Sequence, residues 1–480
     1  MERFGRYLTV IIGVIVITCL LIFSQDLLGG ENDEDIASSS ISSEESADEE
    51  SSSQNSNELE DSSGESLGNN SSNTETEHQH QAIDAWVFDT TLHWKECACE
   101  EKLEVGLHVY ETCNDSNTDS GYIKECFCGY KTEIGKVVLT DLQKLDLSLK
   151  VDDGKACLND ERYVSVSLGE KIGSVQFVKY NGKELQNAVS GENIFIPASC
   201  FGFDYGNAQL EILTSEHYYQ VPILLITKQI ATARDLDEVN VLSKKCEDKD
   251  DVYGGYFTLG NNIAYNSEWQ GGIATKIKES LAAAGKVGFC GVFDGCGYSI
   301  DGLLQNGKGV FDAFIGVLCG GMIKNIAFTN AGLLHSGGFV CAAGVGIIEN
   351  VYVQYAQFGS DDNDNNFFGT FFGAWVGNGA FVNDCIVDIL DTEDIILNTN
   401  GYLIGCMINV DFEQEGALDG VFVLGVSPFA KLVYDVDRKG CGGYQQEENF
   451  KNDTEAQEEI LAWDTEYWII ENGLVEFIIK

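Results

Sequence analysis

The sequence predicts an all-β protein whose C-terminal half is a parallel β-helix. A Gly-x-x-x-Asn pattern recurs from Gly321, Gly346 and Gly379 at steps of 25 and 33 residues. Repeats at such a period are typical of stacked architectures. Around them, short β-branched runs are separated by glycines and lack helical periodicity, which favours short strands. Upstream, residues 136–230 contain seven short runs of alternating apolar and polar residues, as in a β-sandwich.

The N-terminus carries a candidate membrane anchor. Residues 7–23 are uncharged, and Arg3 and Arg6 precede them. A helix of this length spans about 25 Å, near the lower limit for crossing a bilayer. No small-residue cleavage pattern follows, so we interpret residues 1–24 as an uncleaved transmembrane helix, with a signal sequence as the alternative. Arginines on the N-terminal side predict a single-pass protein of the cytoplasmic membrane with the bulk of the chain extracellular.

Residues 25–82 form an acidic, Ser-rich segment without Lys, Arg or aromatic residues. Such a composition cannot bury enough apolar surface to fold, which predicts a disordered linker. The whole chain has a formal net charge of −48. This charge argues against nucleic acid as a partner, because the phosphate backbone would be repelled.

Residues 83–135 are predicted to be a small Cys-rich, zinc-ribbon-like module. Two Cys-x-Cys pairs lie 29 residues apart, with two histidines nearby. Thiolates brought together by a hairpin could hold a structural zinc ion and stabilise a module too small for a core. The predicted metal ligands are Cys97, Cys99, Cys126 and Cys128.

Two alternatives to zinc remain open for this module. A zinc ribbon has two residues between its paired cysteines, whereas each pair here has one, so two disulfides or free thiols are also compatible with the spacing. The layout, in which His93 and Trp94 precede the first pair and His108 lies between the pairs, resembles short Cys-rich repeats in surface proteins of Gram-positive gut bacteria.

Residues 136–230 are interpreted as an immunoglobulin-like β-sandwich with a spacer role. An Asn181-Gly182 dipeptide supplies a hairpin turn after one of the strands. The Cys…Trp…Cys core of antibody domains is absent, although Cys157 and Cys200 could pair across the sheets.

Residues 231–480 are assigned to the predicted β-helix, which begins with a cap helix. Thr232 and Asp235 have the spacing of a variant capping box. Leu236, Val239 and Leu242 recur at helical spacing, so this helix has an apolar face that can cover the end of an exposed core.

The repeats predict two internal features of the β-helix. Glycines supply the corner conformations that residues with a side chain avoid. The asparagines Asn325, Asn350 and Asn383 are expected to stack about 4.8 Å apart and to link their amides in a ladder hidden from solvent. Four cysteines are expected at interior positions: Cys319, Cys341, Cys385 and Cys406.

This half of the chain resembles the GLUG-motif bacterial surface proteins. The resemblance covers residues 230–480 and rests on several elements that occur in order. They are Ile230 to Ala233 with Asp235-Leu236, Gly255 to Tyr265, the F-x-G-x-F-D-G-x-G pattern from Phe289, Gly302-Leu303, Gly321 to Asn325, and Asp464 to Phe477. The resemblance implies a right-handed β-helix on an exported, adhesion-type protein.

No catalytic or cofactor-binding residue is predicted. β-Helices also occur in polysaccharide lyases and glycosidases, which use paired carboxylates, and Asp294, Asp301 and Asp312 are the candidates here. The simpler interpretation of Asp294 is a turn residue that bonds its own backbone. A loop at 361–366 offers oxygen ligands for calcium but lacks the Gly and distal Glu of an EF-hand. Aromatic residues at 367–375 fit core packing better than a sugar platform.

The predicted function is non-catalytic binding at the cell surface. The long flank of the β-helix would contact a glycan or a protein on a host or matrix surface. Two alternatives remain: a carbohydrate-active enzyme of the lyase or glycosidase type, and a structural stalk component of the cell envelope.

Overall fold

The computed structural model describes residues 80–110, 121–243, 252–269, 272–274, 287–307, 309, 311–334, 337–358, 368–372, 380–390, 418–425, 441–444 and 447–480. These residues belong to one compact unit, Gln79–Lys480. Within them strands predominate and helices are few and short, which confirms the all-β class. None of the helices in the described ranges combines the length and apolar character needed to cross a bilayer. The predicted anchor, nearly all of the linker, the loop at 361–366, Trp375 and Cys406 lie outside the described residues.

The first part is a small antiparallel sheet in the order β1-β2-β3. Its strands are β1 (Ala82–Phe88), β2 (Leu92–Cys97) and β3 (Lys102–Leu107). The next strands form a hairpin, β4 (Gly121–Glu125) and β5 (Lys131–Val138). Residues 80–110 contribute nothing to the three hydrophobic core clusters of the described chain. This sheet therefore lies outside the main core and packs through a few ring contacts, such as those of Trp86 with His93 and Phe127.

The region of the predicted sandwich forms two larger sheets and a hairpin. Its strands are β6 (Gln143–Asp146), β7 (Lys150–Asp152), β8 (Lys155–Cys157), β9 (Tyr163–Ser167), β10 (Val175–Tyr180), β11 (Lys183–Glu184), β12 (Ala188–Ser190), β13 (Asn193–Pro197), β14 (Gly206–Thr214) and β15 (Tyr218–Ile226), with a 3-10 helix at Ala198–Phe201. One sheet runs β11-β10-β14-β15-β5-β4, with β6 also paired to β15. The other runs β12-β13-β9, and β7 pairs with β8. Both larger sheets supply side chains to one hydrophobic cluster. Cys157 and Cys200 are not joined in a disulfide.

A helix is present where the sequence predicts one, α1 (Ala233–Ser243). Thr232 Oγ1 accepts a hydrogen bond from the Asp235 backbone N–H at 3.2 Å, and Asp235 Oδ2 accepts one from the Thr232 backbone N–H at 3.1 Å. This reciprocal pair is a capping box with Asp in place of Glu. Leu236, Val239 and Leu242 are buried, as the helical spacing predicts.

The C-terminal half is dominated by a sheet in which every strand pair is parallel. Its strands are β16 (Lys228–Ile230), β17 (Val252–Tyr253), β18 (Tyr256–Leu259), β19 (Ile263–Glu268), β20 (Gly288–Phe289), β21 (Val292–Asp294), β22 (Ser299–Gln305), β23 (Ile315–Leu333), β25 (Cys341–Phe358), β27 (Phe381–Ile389), β28 (Leu418–Gly425) and β29 (Cys441–Tyr444). A separate parallel pair joins β24 (Gly337–Gly338) to β26 (Phe368–Gly369). We call this set of parallel strands the stack.

Columns of apolar side chains run along the stack because each strand pairs in parallel with the next. One column holds Phe257, Phe293, Ile323, Ile348 and Val382, all buried. A second holds Ile263, Ile300, Phe328, Val353 and Val387, also buried. Together with side chains of the sandwich region, these columns form one continuous hydrophobic cluster.

Glycines of the repeat are required because backbone carbonyl oxygens of neighbouring segments lie too close to leave room for a Cβ. A Cβ on Gly321 would come within 2.5 Å of the Phe289 carbonyl oxygen and 3.0 Å of the Gly291 carbonyl oxygen. A Cβ on Gly346 would meet the Gly321 carbonyl oxygen in the same way, and one on Gly291 would meet that of Gly255. Gly321 does not itself have a positive φ. These positions therefore need the absence of a side chain, in addition to the conformational freedom that the sequence suggested.

The predicted ladder exists for two of its three asparagines. Asn350 Nδ2 donates to Asn325 Oδ1 at 3.1 Å, and Asn325 Nδ2 donates to Asp294 Oδ1 at 3.0 Å. Asn383 is not a member, because the strand register pairs it with Glu349. The next residue, Asp384, shares the left-handed backbone of Asn325 and Asn350, with φ of 53°. The prediction for Asn383 is therefore wrong by one position.

A C-terminal module covers one face of the stack. It consists of α2 (Glu447–Asn452), α3 (Thr454–Ile460) and the hairpin β30 (Trp468–Glu471) and β31 (Leu474–Phe477). Its apolar side chains pack in one cluster with Ala327 and Ile386 of the stack. Trp468 Nε1 donates to Asn350 Oδ1 at 3.1 Å, so the module also closes the ladder. The backbone N–H of Lys480 donates to the carbonyl of Gly297, which lies between the early strands β21 and β22.

Candidate metal centre

Two histidines are brought together by the hairpin of β2 and β3. His93 lies near the start of β2, opposite Gly106 of β3, and His108 directly follows β3. A Cβ on Gly106 would lie only 3.2 Å from His93 Nε2, so glycine leaves room for the imidazole across the strand. His93 is buried, and its ring centroid lies 5.6 Å from that of His108.

Two cysteines approach these histidines from the turn between β4 and β5. The Cys126 backbone N–H donates to the Tyr130 carbonyl, and the Gly129 N–H donates back to the Cys126 carbonyl, each at 2.8 Å. The turn presents both thiols to the imidazoles. Cys126 Sγ lies 3.7 Å from His93 Nδ1, and Cys128 Sγ lies 3.4 Å from His108 Nδ1.

These four residues form the candidate metal centre, which we call the four-donor cluster. The ligand atoms of His93, His108, Cys126 and Cys128 all lie within 4.8 Å of one another. The two cysteines and His93 are buried and His108 is half-buried. Two thiolates and two imidazoles are a common ligand set of structural zinc sites.

The orientation of His108 is set by its second nitrogen. Nε2 lies 2.8 Å from the Asp89 carbonyl oxygen, and a carbonyl can only accept, so Nε2 carries the proton. Nδ1 of the neutral ring is then left with a lone pair directed at the cysteines. The ring also stacks on Tyr130, with centroids 4.3 Å apart and an interplanar angle of 19°.

The surroundings of Cys126 favour its thiolate. Burial acts to raise the pKa of Cys126, but the hydrogen bond from the Cys128 backbone and the neighbouring His108 imidazole outweigh it and hold the pKa below its ordinary value. Burial raises the pKa of Cys128, and its hydrogen bond with Cys126 adds to that rise. The first proton is therefore lost most readily from Cys126.

A second group lies at the other end of the same sheet, and we call it the three-donor cluster. The ligand atoms of His80, Cys97 and Cys99 lie within 4.8 Å of one another, and His80 Nδ1 is 3.3 Å from Cys99 Sγ. His80 Nε2 lies 2.9 Å from Glu101 Oε2, which orients the ring. Cys97 is buried, whereas Cys99 and His80 are exposed.

The four cysteines predicted as one ligand set therefore divide between two clusters. Cys126 and Cys128 join His93 and His108, while Cys97 and Cys99 join His80. The physical reason is strand geometry: His93 and Cys97 lie four residues apart on β2, which separates them by about 13 Å. His80 was missed at the sequence level. His80 joins the cluster because the antiparallel pairing of Ala82 with Cys97 brings it beside Cys99.

The three candidate catalytic carboxylates have separate hydrogen-bond partners. Asp294 is buried and accepts hydrogen bonds from Asn325, from the Cys296 backbone N–H at 2.9 Å and from Tyr256. The prediction of a turn residue that bonds its own backbone is confirmed. Asp301 Oδ1 accepts from Thr329 and Asn330, each at 2.7 Å.

Asp312 lines a polar cavity of about 280 Å³ beside the ends of β19 and β22. The cavity is also lined by Glu268, Trp269, Gln305 and Asn306. Asp312 Oδ2 accepts the Gly309 N–H at 2.6 Å, and Glu268 Oε1 accepts Asn306 Nδ2 at 2.9 Å.

The remaining predicted positions are structural. Phe371 and Phe372 are fully buried, which confirms core packing for these two aromatic residues. Cys341 and Cys385 are buried as expected, and Cys319 is half-buried.

Comparisons with known proteins identify no relative. No protein-family model, no curated protein and no solved structure matches this chain. The resemblance to GLUG-motif proteins stays a prediction that rests on the residues quoted for it.

Proposed function

We propose that the protein is a membrane-anchored bacterial surface protein that binds glycans or host and matrix surfaces without catalysis. In this proposal residues 231–480 form a right-handed parallel β-helix and residues 136–230 an immunoglobulin-like spacer. The anchor at 1–24 and the acidic linker at 25–82 hold them outside the cell. The support for the β-helix is the parallel pairing of successive strands and the continuous apolar columns between them.

One observation carries the binding proposal: a column of polar side chains on the outer side of the stack. Side chains alternate between the two faces of a strand, so the neighbours of the buried Phe328 and Val353 point outward. These neighbours are Thr329 and Gln354, and the register extends them to Asp301 and Asp388; all four are half-buried.

This column suits an extended glycan. Adjacent strands lie about 4.8 Å apart, so hydroxyl, amide and carboxylate groups repeat at short, regular spacing along the stack. Some of their hydrogen-bonding capacity is used within the column, since Thr329 donates to Asp301 and Gln354 donates to Asp388. Carboxylates have about four acceptor sites each, so capacity remains for sugar hydroxyls.

The carboxylates also favour binding over catalysis. A glycosidase needs two carboxyl groups that face each other across a bond, about 5 to 9.5 Å apart. Asp294 is buried in the ladder and Asp301 is bonded within the polar column. Asp294 is therefore not available to form a facing pair with Asp301 on an open surface.

The test is a glycan array with the purified full-length chain, covering plant and mucin glycans, followed by analysis of the bound glycans for cleavage. We expect retention without chain cleavage. Thr329→Val and Gln354→Ala should weaken binding, and Glu466→Gln, on the exposed side of the C-terminal module, should not. Released oligosaccharides would overturn the non-catalytic proposal, and absence of binding to every glycan and matrix protein would favour the stalk.

The polar cavity favours one alternative, a carbohydrate-active enzyme. Glu268 and Asp312 both line it beside the Trp269 ring, which is a combination found in sugar sites. If the alternative holds, Glu268→Gln and Asp312→Asn each abolish glycan cleavage without changing the far-UV circular dichroism spectrum.

A further inference from the structure

The two Cys-x-Cys turns have the same backbone structure. In each turn, the backbone N–H of the first cysteine donates to the carbonyl of the residue four places later. The N–H of the residue three places later donates to the carbonyl of the first cysteine. These distances are 2.9 and 2.8 Å for the turn at Cys97 and 2.8 Å twice for the turn at Cys126. The residue three places on has positive φ in both, 67° at Glu100 and 91° at Gly129. One turn geometry therefore presents two thiols at two separate places.

The distances between donors match those around a zinc ion. Zinc binds imidazole nitrogen at about 2.0–2.1 Å and thiolate at about 2.3 Å, so a nitrogen and a sulfur on one tetrahedral ion lie about 3.6 Å apart. The nitrogen–sulfur distances are 3.7 and 3.4 Å in the four-donor cluster and 3.3 Å in the three-donor cluster. A one-residue spacer is therefore compatible with shared ligation when the cysteines lie in this turn.

Both clusters also contain the outer contacts expected of metal-ligating histidines. A histidine ligand usually donates its other N–H to a carbonyl or carboxylate, which fixes the tautomer. His108 does so to the Asp89 carbonyl, and His80 does so to Glu101. In both rings the nitrogen that faces the cysteines is Nδ1.

We propose that the four-donor cluster and the three-donor cluster each hold one zinc ion, in different coordination environments. The four-donor cluster is closed and holds a structural ion that stabilises β1 to β3, which contribute to none of the three hydrophobic clusters. Among the described residues, the three-donor cluster supplies three ligands, two of them on exposed residues, and leaves a fourth position for water or an external ligand. Its ion is therefore the more readily exchanged. This inference is independent of the proposed glycan binding.

The experiment measures metal stoichiometry on the full-length chain. The reduced protein is stripped with a chelator, loaded with Zn²⁺ or Co²⁺ without oxygen, and analysed by native mass spectrometry and absorption spectroscopy. We expect two ions per chain, thiolate-to-cobalt charge-transfer bands, and loss of one ion first on titration with a weak chelator. Cys99→Ser should retain one ion and keep the tightly bound fraction.

The matched variants separate the two sites. Cys128→Ser should remove the tightly bound ion, and since this variant could unfold the module, His108→Asn provides a second measurement at the same cluster. Cys157→Ser and Cys200→Ser, which lie outside both clusters, should keep two ions. The proposal is overturned if the wild-type chain binds fewer than two ions, if Cys99→Ser still binds two, or if the cysteine pairs resist reduction as disulfides and take up no metal.

Discussion

The hydrogen bond between Trp468 and Asn350 gives a quantitative prediction for the C-terminal module. Trp468→Phe keeps an aromatic ring in the cluster but removes the indole N–H that donates to Asn350 Oδ1 at 3.1 Å. Trp468 is 1% exposed and Asn350 is 6% exposed, so water cannot readily replace the donor. An unsatisfied buried carbonyl costs about 1–3 kcal/mol.

The assay for this prediction is native-state hydrogen exchange in the hairpin of β30 and β31. A loss of about 1–3 kcal/mol corresponds to amide exchange that is about 5-fold to 150-fold faster, because each 1.4 kcal/mol is a factor of ten. The smaller ring also removes apolar contacts, so a double-mutant cycle with Asn350→Gly isolates the hydrogen bond. Glycine tolerates the φ of 53° at this position.

The cycle has a defined outcome. We expect a coupling free energy of about 0.5–1.5 kcal/mol between the two positions. If the two substitutions are additive, and exchange in the hairpin of Trp468→Phe matches the wild type, then the ladder does not stabilise the module and the reasoning is refuted.

Three further predictions concern other parts of the fold. Gly321→Ala should destabilise the chain by about 1–3 kcal/mol in urea unfolding, because its Cβ meets fixed backbone, whereas Gly135→Ala, with open space around it, should not destabilise it. Burial acts to raise the pKa of Asp235, but Lys228 and Thr232 outweigh burial and lower the pKa below its ordinary value. The ionised carboxylate therefore stabilises the folded chain above about pH 4, and this stabilisation is lost as the pH falls through the lowered pKa. Asp235→Asn should therefore show less acid destabilisation than wild type in thermal melts from pH 5 to pH 2.5; equal acid dependence would contradict this. Burial raises the pKa of Cys341 to about 12, so iodoacetamide should not label it at pH 8 until the chain is unfolded, and labelling of the native protein would contradict its position.

The stack was predictable because the same Gly-x-x-x-Asn pattern recurs along its sequence. Gly321 and Gly346 each stand four residues before an asparagine, and both are needed where backbones approach. The prediction from the third repeat was wrong because Asn383 has the expected spacing in sequence but pairs with Glu349. Asp384 instead has the left-handed backbone of Asn325 and Asn350. A one-residue difference of this kind is set by the turn, and the residue types do not reveal it.

The metal clusters were predictable only in part. Cysteines and histidines within 83–135 indicated a metal module. Their division into two groups depends on the strand geometry, which places His93 near the start of β2 and Cys97 at its end. His80 lies in sequence at the end of an acidic segment, where nothing marks it as a ligand. The C-terminal module was likewise hidden, since its contact with Asn350 joins residues 118 positions apart.

The return of the chain from the last strands of the stack to its early turns has a consequence for folding. An array of repeats that touch only their neighbours can lose its end repeats one at a time. Here the C-terminal module packs on Ile386 and also reaches Gly297 and Asn262 through Lys480, so it links late strands of the stack to early ones. Fraying at one end therefore strains the other, so the array should melt cooperatively. During synthesis the early strands gain their contacts with Lys480 only after that residue has been made.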